Sequence, residues 1–497
     1  MNSENLLQIK TLGELKKSAY QSRSIKQELR ENLIVALKNK QKVFEGIHGY
    51  DNTVIPDLER AILSMHNINL LGLRGQAKTR LARLMINLLD EYIPVVRGSD
   101  LNDDPMQPLS RFALDLIAEH GDQTPISWMH RSERYTEKLA TPDVSVSDLI
   151  GDVDPIKAAS LKLPYSDERV IHFGLIPRSH RCLFVINELP DLQARIQVAL
   201  FNILQEGDIQ IRGFKLRLPL DIQFVFTANP EDYTNRGSIV TPLKDRIDSQ
   251  IITHYPPDIE TGRKITEQEA HIKTEQKNGI TVFDLCKDLV EQIAIEARSS
   301  EYVDEKSGVS ARLTISAYEN LWSAAERRML INSEAQTHIR IGDFWGILPS
   351  IAGKVELVYE GEQEGTAIVA QSLLGKSIRS LFLNYFPNPE QEKKSKNNLY
   401  KQIIDWFGDG EHTDLLTNMS NQEYKNALHM VSGLDKLVKS KLPNLNESEH
   451  IFMMEFALHG LAEYSLISKQ VLGKGLIFKD LLSSMLNNMT DSEDEDQ

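Results

Sequence analysis

The sequence predicts an α/β fold, a parallel sheet followed by a largely helical second half, and three observations predict it. From Phe44 to about Tyr255, short apolar runs alternate with helical patterns, as when crossover helices join parallel strands. The clearest runs, "INLLG" (68–72), "CLFVI" (182–186) and "IQFVFTA" (222–228), are apolar almost throughout, which suits strands covered on both faces. Beyond Ile259 the pattern turns helical and stays so.

Taken in order, residues 1–45 read as a helical N-terminal extension whose most periodic part is "KQELRENLIVALKNKQKVF". Residues 46–257 form the α/β domain. Within it, residues 97–170 are polar and carry several Pro and Gly, the composition of an insertion above the sheet. "DIQIRGFKLRLPL" alternates around Gly213 and reads as a β-hairpin. Residues 258–358 make a helical domain. A helical C-terminal domain, 359–497, is broken at "PNPEQEKKSKNN" and "KLPNLNESE" and ends in the acidic "TDSEDEDQ", a tail expected to be disordered.

Bulk properties narrow the function. The net charge of −15 argues against nucleic acid as the main partner, because phosphate backbones are bound by excess Lys and Arg. Cys182 and Cys286 stand far apart and give neither a disulfide framework nor a zinc motif, as expected in a reducing compartment. The N-terminus "MNSENLLQIKTLGELKK" lacks the apolar centre of a signal peptide, and no apolar run reaches the ~18 residues a membrane span needs. A cytoplasmic protein is expected, with no membrane contact. The histidines His120, His130, His172, His180 and His254 are scattered without metal spacing, and no Gly-x-Ser-x-Gly marks a nucleophilic serine.

Chemistry concentrates in "INLLGLRGQAKTRLARLMINLL", where a strand candidate runs into a Gly-rich turn and then a helix. The helix is amphipathic, with Leu81, Leu84, Met85, Leu88 and Leu89 on one stripe opposite Arg80, Arg83 and Asn87. The turn nearly spells the phosphate-binding loop: Gly72 opens it, Gly75 lies within it, and Lys78 and Thr79 stand where the pattern puts Lys and Ser/Thr. In such a loop, backbone N–H groups and the helix N-terminus cradle phosphates. Lys78 would reach the β- and γ-phosphates, and Thr79 would place its hydroxyl on Mg²⁺. Arg80 follows at the helix start as a further phosphate-side candidate. Ala77 stands where the pattern has glycine; in the first helical turn that change would cost little.

The strand "CLFVI" ends in Asn187-Glu188, where a phosphate site carries an acidic pair. Glu188 can activate water as a general base. Asn187 offers Mg²⁺ a carbonyl oxygen without a charge, so it should hold the magnesium shell more weakly than Asp. Asp191 is a substitute for that charge or, the favoured reading, the N-cap of the helix in "LQARIQVALFNIL". "IQFVFTANPEDY" ends in Asn229, beside the nucleotide or in a plain Asn-Pro turn. "TPLKDRIDSQI" holds Arg246, and "GVSARLTISAYENLWSAAERR" holds Arg312 ahead of a helix whose capping box is Ser316 and Glu319. For each arginine the alternative is a surface ion pair.

With "FEGIHGYDNTVIPDLERAIL", "LNDDPMQP", "DLIGDVDP" and "FGLIPRSHRCLFVINELPDL", these motifs, in this order and spacing over roughly residues 44–355, resemble the AAA+ ATPases of the MoxR and magnesium-chelatase I-subunit group. The resemblance implies a P-loop AAA+ core, a helical lid at 258–358, ATP and Mg²⁺ as cofactors, and a homo-oligomeric ring, a hexamer in the family, with ATP bound between subunits. It casts Asn229 as the sensor that holds the lytic water or γ-phosphate. Arg246 becomes the arginine finger reaching a neighbouring subunit's phosphate, and Arg312 the second sensor of the lid. A partner with a von Willebrand factor A domain is implied as well. ATP-driven remodelling of a protein partner is the function expected. The alternatives are the motor subunit of a chelatase-type metal insertase, or a nucleotide-gated scaffold of slow turnover, for which Asn187 is the motive. No feature of the last 140 or so residues matches chelatase.

Overall fold

A computed structural model describes residues 6–165, 167–211, 217–230, 238–394, 398–472 and 475–481. The chain divides into two compact units, Met1–Tyr255 and Pro256–Gln497.

The first unit is built on five strands: β1 (Ile68–Leu71), β2 (Tyr135–Leu139), β3 (Cys182–Asn187), β4 (Ile222–Ala228) and β5 (Ser249–Ile252). They lie in the order β5-β1-β4-β3-β2, every neighbouring pair parallel. The apolar runs are the inner strands: β3 and β4 are buried at every position. Register aligns Val185 with Val225 and Val225 with Ile68, so these side chains leave one face together. There they meet the helices Ile25–Lys38, Val54–Leu63 and Lys78–Leu84 through Leu29, Leu33, Leu58, Ala61 and Leu81. On the opposite face Phe184, Ile186, Phe224 and Phe226 pack with Ile196, Leu200 and Ile203 of the helix Ala194–Glu206. Alternation with period two thus sends each inner strand into two separate cores.

Two sequence readings need correction here. The segment 97–170 is not only an insertion above the sheet, because it supplies the edge strand β2. "YTEKL" has no apolar run to betray it, since an edge strand stays partly exposed and none of its five residues is fully buried. Residues 1–45 are likewise no mere extension. Ile25, Leu29 and Leu33 belong to the apolar core beneath the sheet, and Glu28 pairs with Arg134 in the same interior. The expected hairpin is present as an antiparallel pair, Asp208–Gln210 with Arg217–Pro219, while its turn at Gly213 lies outside the described residues.

The second unit is mostly helical, as expected. Its long helices are Ile259–Glu269, Asp284–Arg298, Arg312–Ile331, Thr366–Phe382 and Glu447–Glu463. One apolar cluster runs from Ile280 to Phe478, so residues on both sides of position 358 share a single core. Inside it the Glu455 carboxylate accepts the N–H groups of Ile341 (2.7 Å) and Gly342 (3.1 Å) and the Tyr424 hydroxyl (2.7 Å). Those contacts supply the partners a buried carboxylate requires. A small antiparallel sheet of Thr413–Leu416, Gly475–Lys479 and Ser468–Leu472 was not foreseen. The tail "TDSEDEDQ" lies outside the described residues. Among the described residues no helix is long and apolar enough to cross a membrane.

Candidate nucleotide site

β1 hands the chain to the loop at Gly72. A Cβ placed there would run into the side chains of Thr253 and Gln76, so any other residue would have to displace the contact between them. Gly75 has φ +75°, which glycine adopts without steric cost. Between them the loop is braced from β5 and its continuation. The buried Gln76 side chain accepts the Thr253 hydroxyl at 2.7 Å. The Tyr50 hydroxyl sits between the carbonyls of Gln76 (3.0 Å) and His254 (2.7 Å), and the Tyr255 hydroxyl donates to the Arg74 carbonyl at 3.0 Å.

Ala77 is where the structure corrects the sequence. It lies not in the first helical turn but at the N-cap of Lys78–Leu84, with φ 55° and ψ 19°. That left-handed conformation costs a Cβ-bearing residue about 1–2 kcal/mol. Ala77→Gly should therefore raise stability by about 1 kcal/mol, somewhat less than the strain because glycine gains freedom in the unfolded chain. Denaturant unfolding of the two proteins measures this, and a loss of stability in the variant would show that the turn tolerates Ala77 without strain.

The helix then points the reactive side chains at the C-terminal ends of the strands. Lys78 Nζ donates to the carbonyl of Leu73 at 2.9 Å, to that of Gly72, and to Asn229 Oδ1 at 2.8 Å. Thr79 Oγ1 donates to Asn187 Oδ1 at 3.4 Å, and Thr227 Oγ1 donates to the same oxygen at 3.1 Å. The Thr227 hydroxyl in turn accepts the Glu188 N–H at 3.1 Å. Glu188 itself has φ 56°, a conformation rare outside glycine and often found where a site demands it. The loop, the end of β3 and the end of β4 thus converge: Lys78, Thr79, Asn187, Glu188 and Asn229 stand together. Arg80 is exposed on the outer face of its helix.

The remaining candidates lie elsewhere. Arg246 is held by Gln205 (Nε to Oε1, 3.0 Å) and the Pro242 carbonyl (2.8 Å), with its guanidinium 5.0 Å from the centre of the Phe201 ring. These contacts fix it against the helix Ala194–Glu206. Arg312 belongs to the second unit, exposed at the first residue of the helix Arg312–Ile331. The expected capping box is wrong. Ser316 and Glu319 lie inside that helix, Ser310 Oγ accepts the Arg312 N–H at 3.1 Å, and Glu319 instead accepts the His271 N–H at 2.9 Å. Asp191 is no N-cap either. Pro190 and Asp191 close a 3₁₀ turn, and the following helix begins only at Ala194 with Gln193 as its cap.

Sequence reasoning passed over Glu137 altogether. It stands on β2 beside Asn187, whose Nδ2 donates to its Oε1 at 2.5 Å. Its Oε2 accepts the Tyr135 hydroxyl at 2.9 Å and pairs with Arg83 at 3.0 Å. Nothing in "YTEKL" marks it as a strand, since three polar residues in a row separate Tyr135 from Leu139.

The oxygens gathered here suit Mg²⁺, which takes few protein ligands and completes its shell with water and phosphate. The Thr79 hydroxyl and the Asn187 amide oxygen would face the cation, with the Glu137 carboxylate behind them. Among the described residues no group of three or more His, Cys, Asp and Glu is placed to hold a metal ion.

No known family model matches the sequence. The fold is similar to a magnesium chelatase complex of subunits BchI and BchD (17% identity, 64% of this chain and 98% of that one, TM-score 0.34). It is also similar to Hsp104 with ATPγS and casein (14%, 62% and 49%, TM-score 0.36) and to a RuvB variant of Thermotoga maritima (11%, 89% and 97%, TM-score 0.33).

Proposed function

We propose that the protein is an AAA+ ATPase of the MoxR and magnesium-chelatase type. It binds ATP with Mg²⁺ at the Gly72–Thr79 loop, hydrolyses it, and spends the energy on remodelling a protein partner. The observation that supports this most is the convergence of Lys78 and Thr79 with Asn187 and Asn229 at the carboxyl ends of adjacent parallel strands. Ligands of open α/β sheets bind in that position. Bound Mg²⁺ would neutralise phosphate charge. Lys78 would exchange its carbonyl partners for phosphate oxygens, Glu188 would take a proton from the attacking water, and Asn229 would orient that water.

Arg246 and Arg312 extend the proposal to an assembly. In a ring, Arg246 would serve a neighbour's nucleotide, and a hexamer is the state the family resemblance implies. A von Willebrand factor A domain protein is the partner proposed on the same ground. Asn187 favours a second reading, a scaffold of slow turnover, since an amide holds magnesium less firmly than a carboxylate.

Replacement of Lys78 tests the proposal. Lys78→Ala should weaken binding of a fluorescent ATP analogue in magnesium about 10- to 100-fold, the worth of a charged hydrogen bond of roughly 1.5–3 kcal/mol. Equal affinity in the two proteins would remove the loop from the mechanism.

A further inference from the structure

Asn187 poses a question of charge. An amide at the end of β3 brings a magnesium shell no negative charge, and Thr79 on its other side is neutral too. The structure places a carboxylate one hydrogen bond behind. The amide orientation follows from its partners: two hydroxyls, Thr79 and Thr227, can donate to Oδ1, while the Glu137 carboxylate can only accept and so meets Nδ2. A hydrogen bond to an ionised acceptor polarises the donor group and leaves Oδ1 richer in charge.

Glu137 is itself held in place for this. Its second oxygen is fixed by the Tyr135 hydroxyl and by Arg83, which leaves Oε1 directed at Asn187. Burial first, and then the neighbouring carboxylate, push the Tyr135 phenol up, so it remains a donor. The Arg83 side chain is largely exposed, so water screens its pull on the carboxylate.

Resting on the nucleotide-site reading above, we infer that Glu137 is a positioning residue that supplies, through Asn187, the negative charge a phosphate-bound magnesium needs. The pair Glu137–Asn187 does the work of a single aspartate, with the charge and the liganding oxygen on neighbouring strands.

The test exchanges the two groups in the full-length chain. The measurement is the magnesium concentration that half-saturates binding of a fluorescent ATP analogue. Glu137→Gln keeps a side-chain oxygen able to accept from Asn187 Nδ2 and removes the charge, turning its amide nitrogen toward Tyr135 and Arg83. It should raise the half-saturating magnesium about 10- to 100-fold, the usual effect of losing a partner behind a metal ligand. Thermal unfolding without nucleotide checks that the variant is folded. The double variant Glu137→Gln/Asn187→Asp puts the charge back with the hydrogen bond reversed, and it should restore the wild-type magnesium requirement. An unchanged requirement in Glu137→Gln overturns the inference, as does a double variant no better than the single one. Wild-type protein that binds the analogue equally with and without magnesium, or not at all, overturns the site reading as well.

Discussion

Glu188→Gln should lower ATP turnover about 10²- to 10⁴-fold, the range a positioned general base contributes, while the protein still retains ATP. The two effects separate because different parts of the site carry them. On that proposal, retention would rest on the loop from Gly72 to Thr79, which is braced by Tyr50, Thr253 and Tyr255. In the proposed mechanism, proton transfer would rest on the Glu188 side chain at the end of β3. Its backbone is pinned by the Thr227 hydroxyl at 3.1 Å, and glutamine has nearly the same shape, so the substitution leaves the turn intact. Single-turnover hydrolysis gives the rate, and nucleotide recovered with the protein after gel filtration gives the retention. Undiminished hydrolysis would mean that another group activates the water. Should turnover stop with ATP retained, the variant also becomes a trap, and the protein that stays bound to it identifies the partner.

The second large effect is on stability. Glu28→Ala should cost about 3–5 kcal/mol. Arg134 and Glu28 are 1% and 4% exposed and meet in two parallel hydrogen bonds of 2.7 Å, so removing the carboxylate strands a buried guanidinium. Replacing both by apolar residues of similar size, Glu28→Leu with Arg134→Met, removes the two buried charges together and should cost far less. Denaturant unfolding of the single and double variants decides it; equal losses would show that the pair contributes net attraction rather than mutual neutralisation. Arg134 immediately precedes β2, so this pair ties the N-terminal helix to the strand that carries Glu137.

How legible was this in the sequence? The inner strands are plain in the sequence, because burial on both faces favours apolar residues with few interruptions: Ile68, Leu183 to Ile186 and Phe224 to Phe226 announce themselves, and the buried Asn69 and Gln223 stand among them as exceptions. So are Gly72, Lys78 and Thr79, whose spacing is dictated by the turn. What escaped was set by long-range contact. Glu137 lies fifty positions before Asn187, and nothing local shows that β2 and β3 are neighbours. Whether Ala77 falls in the first helical turn is not written in its identity, and the structure puts it just ahead of the helix, at a left-handed N-cap. Asp191 and Ser316 fit capping patterns, yet Pro190 and Ser310 shift the two helix starts away from them. The C-terminal sheet escapes for want of length: "GLIFK" is too short to separate strand from helix.

The bracing of the loop has a mechanical corollary. Thr253, His254 and Tyr255, which grip Gln76 and Arg74 directly or through Tyr50, are the last residues before the second unit begins at Pro256. A triphosphate that reshapes the turn must loosen or redirect those grips. A disturbance of those grips would have a direct backbone route to the joining peptide, because Tyr255 and Pro256 are consecutive.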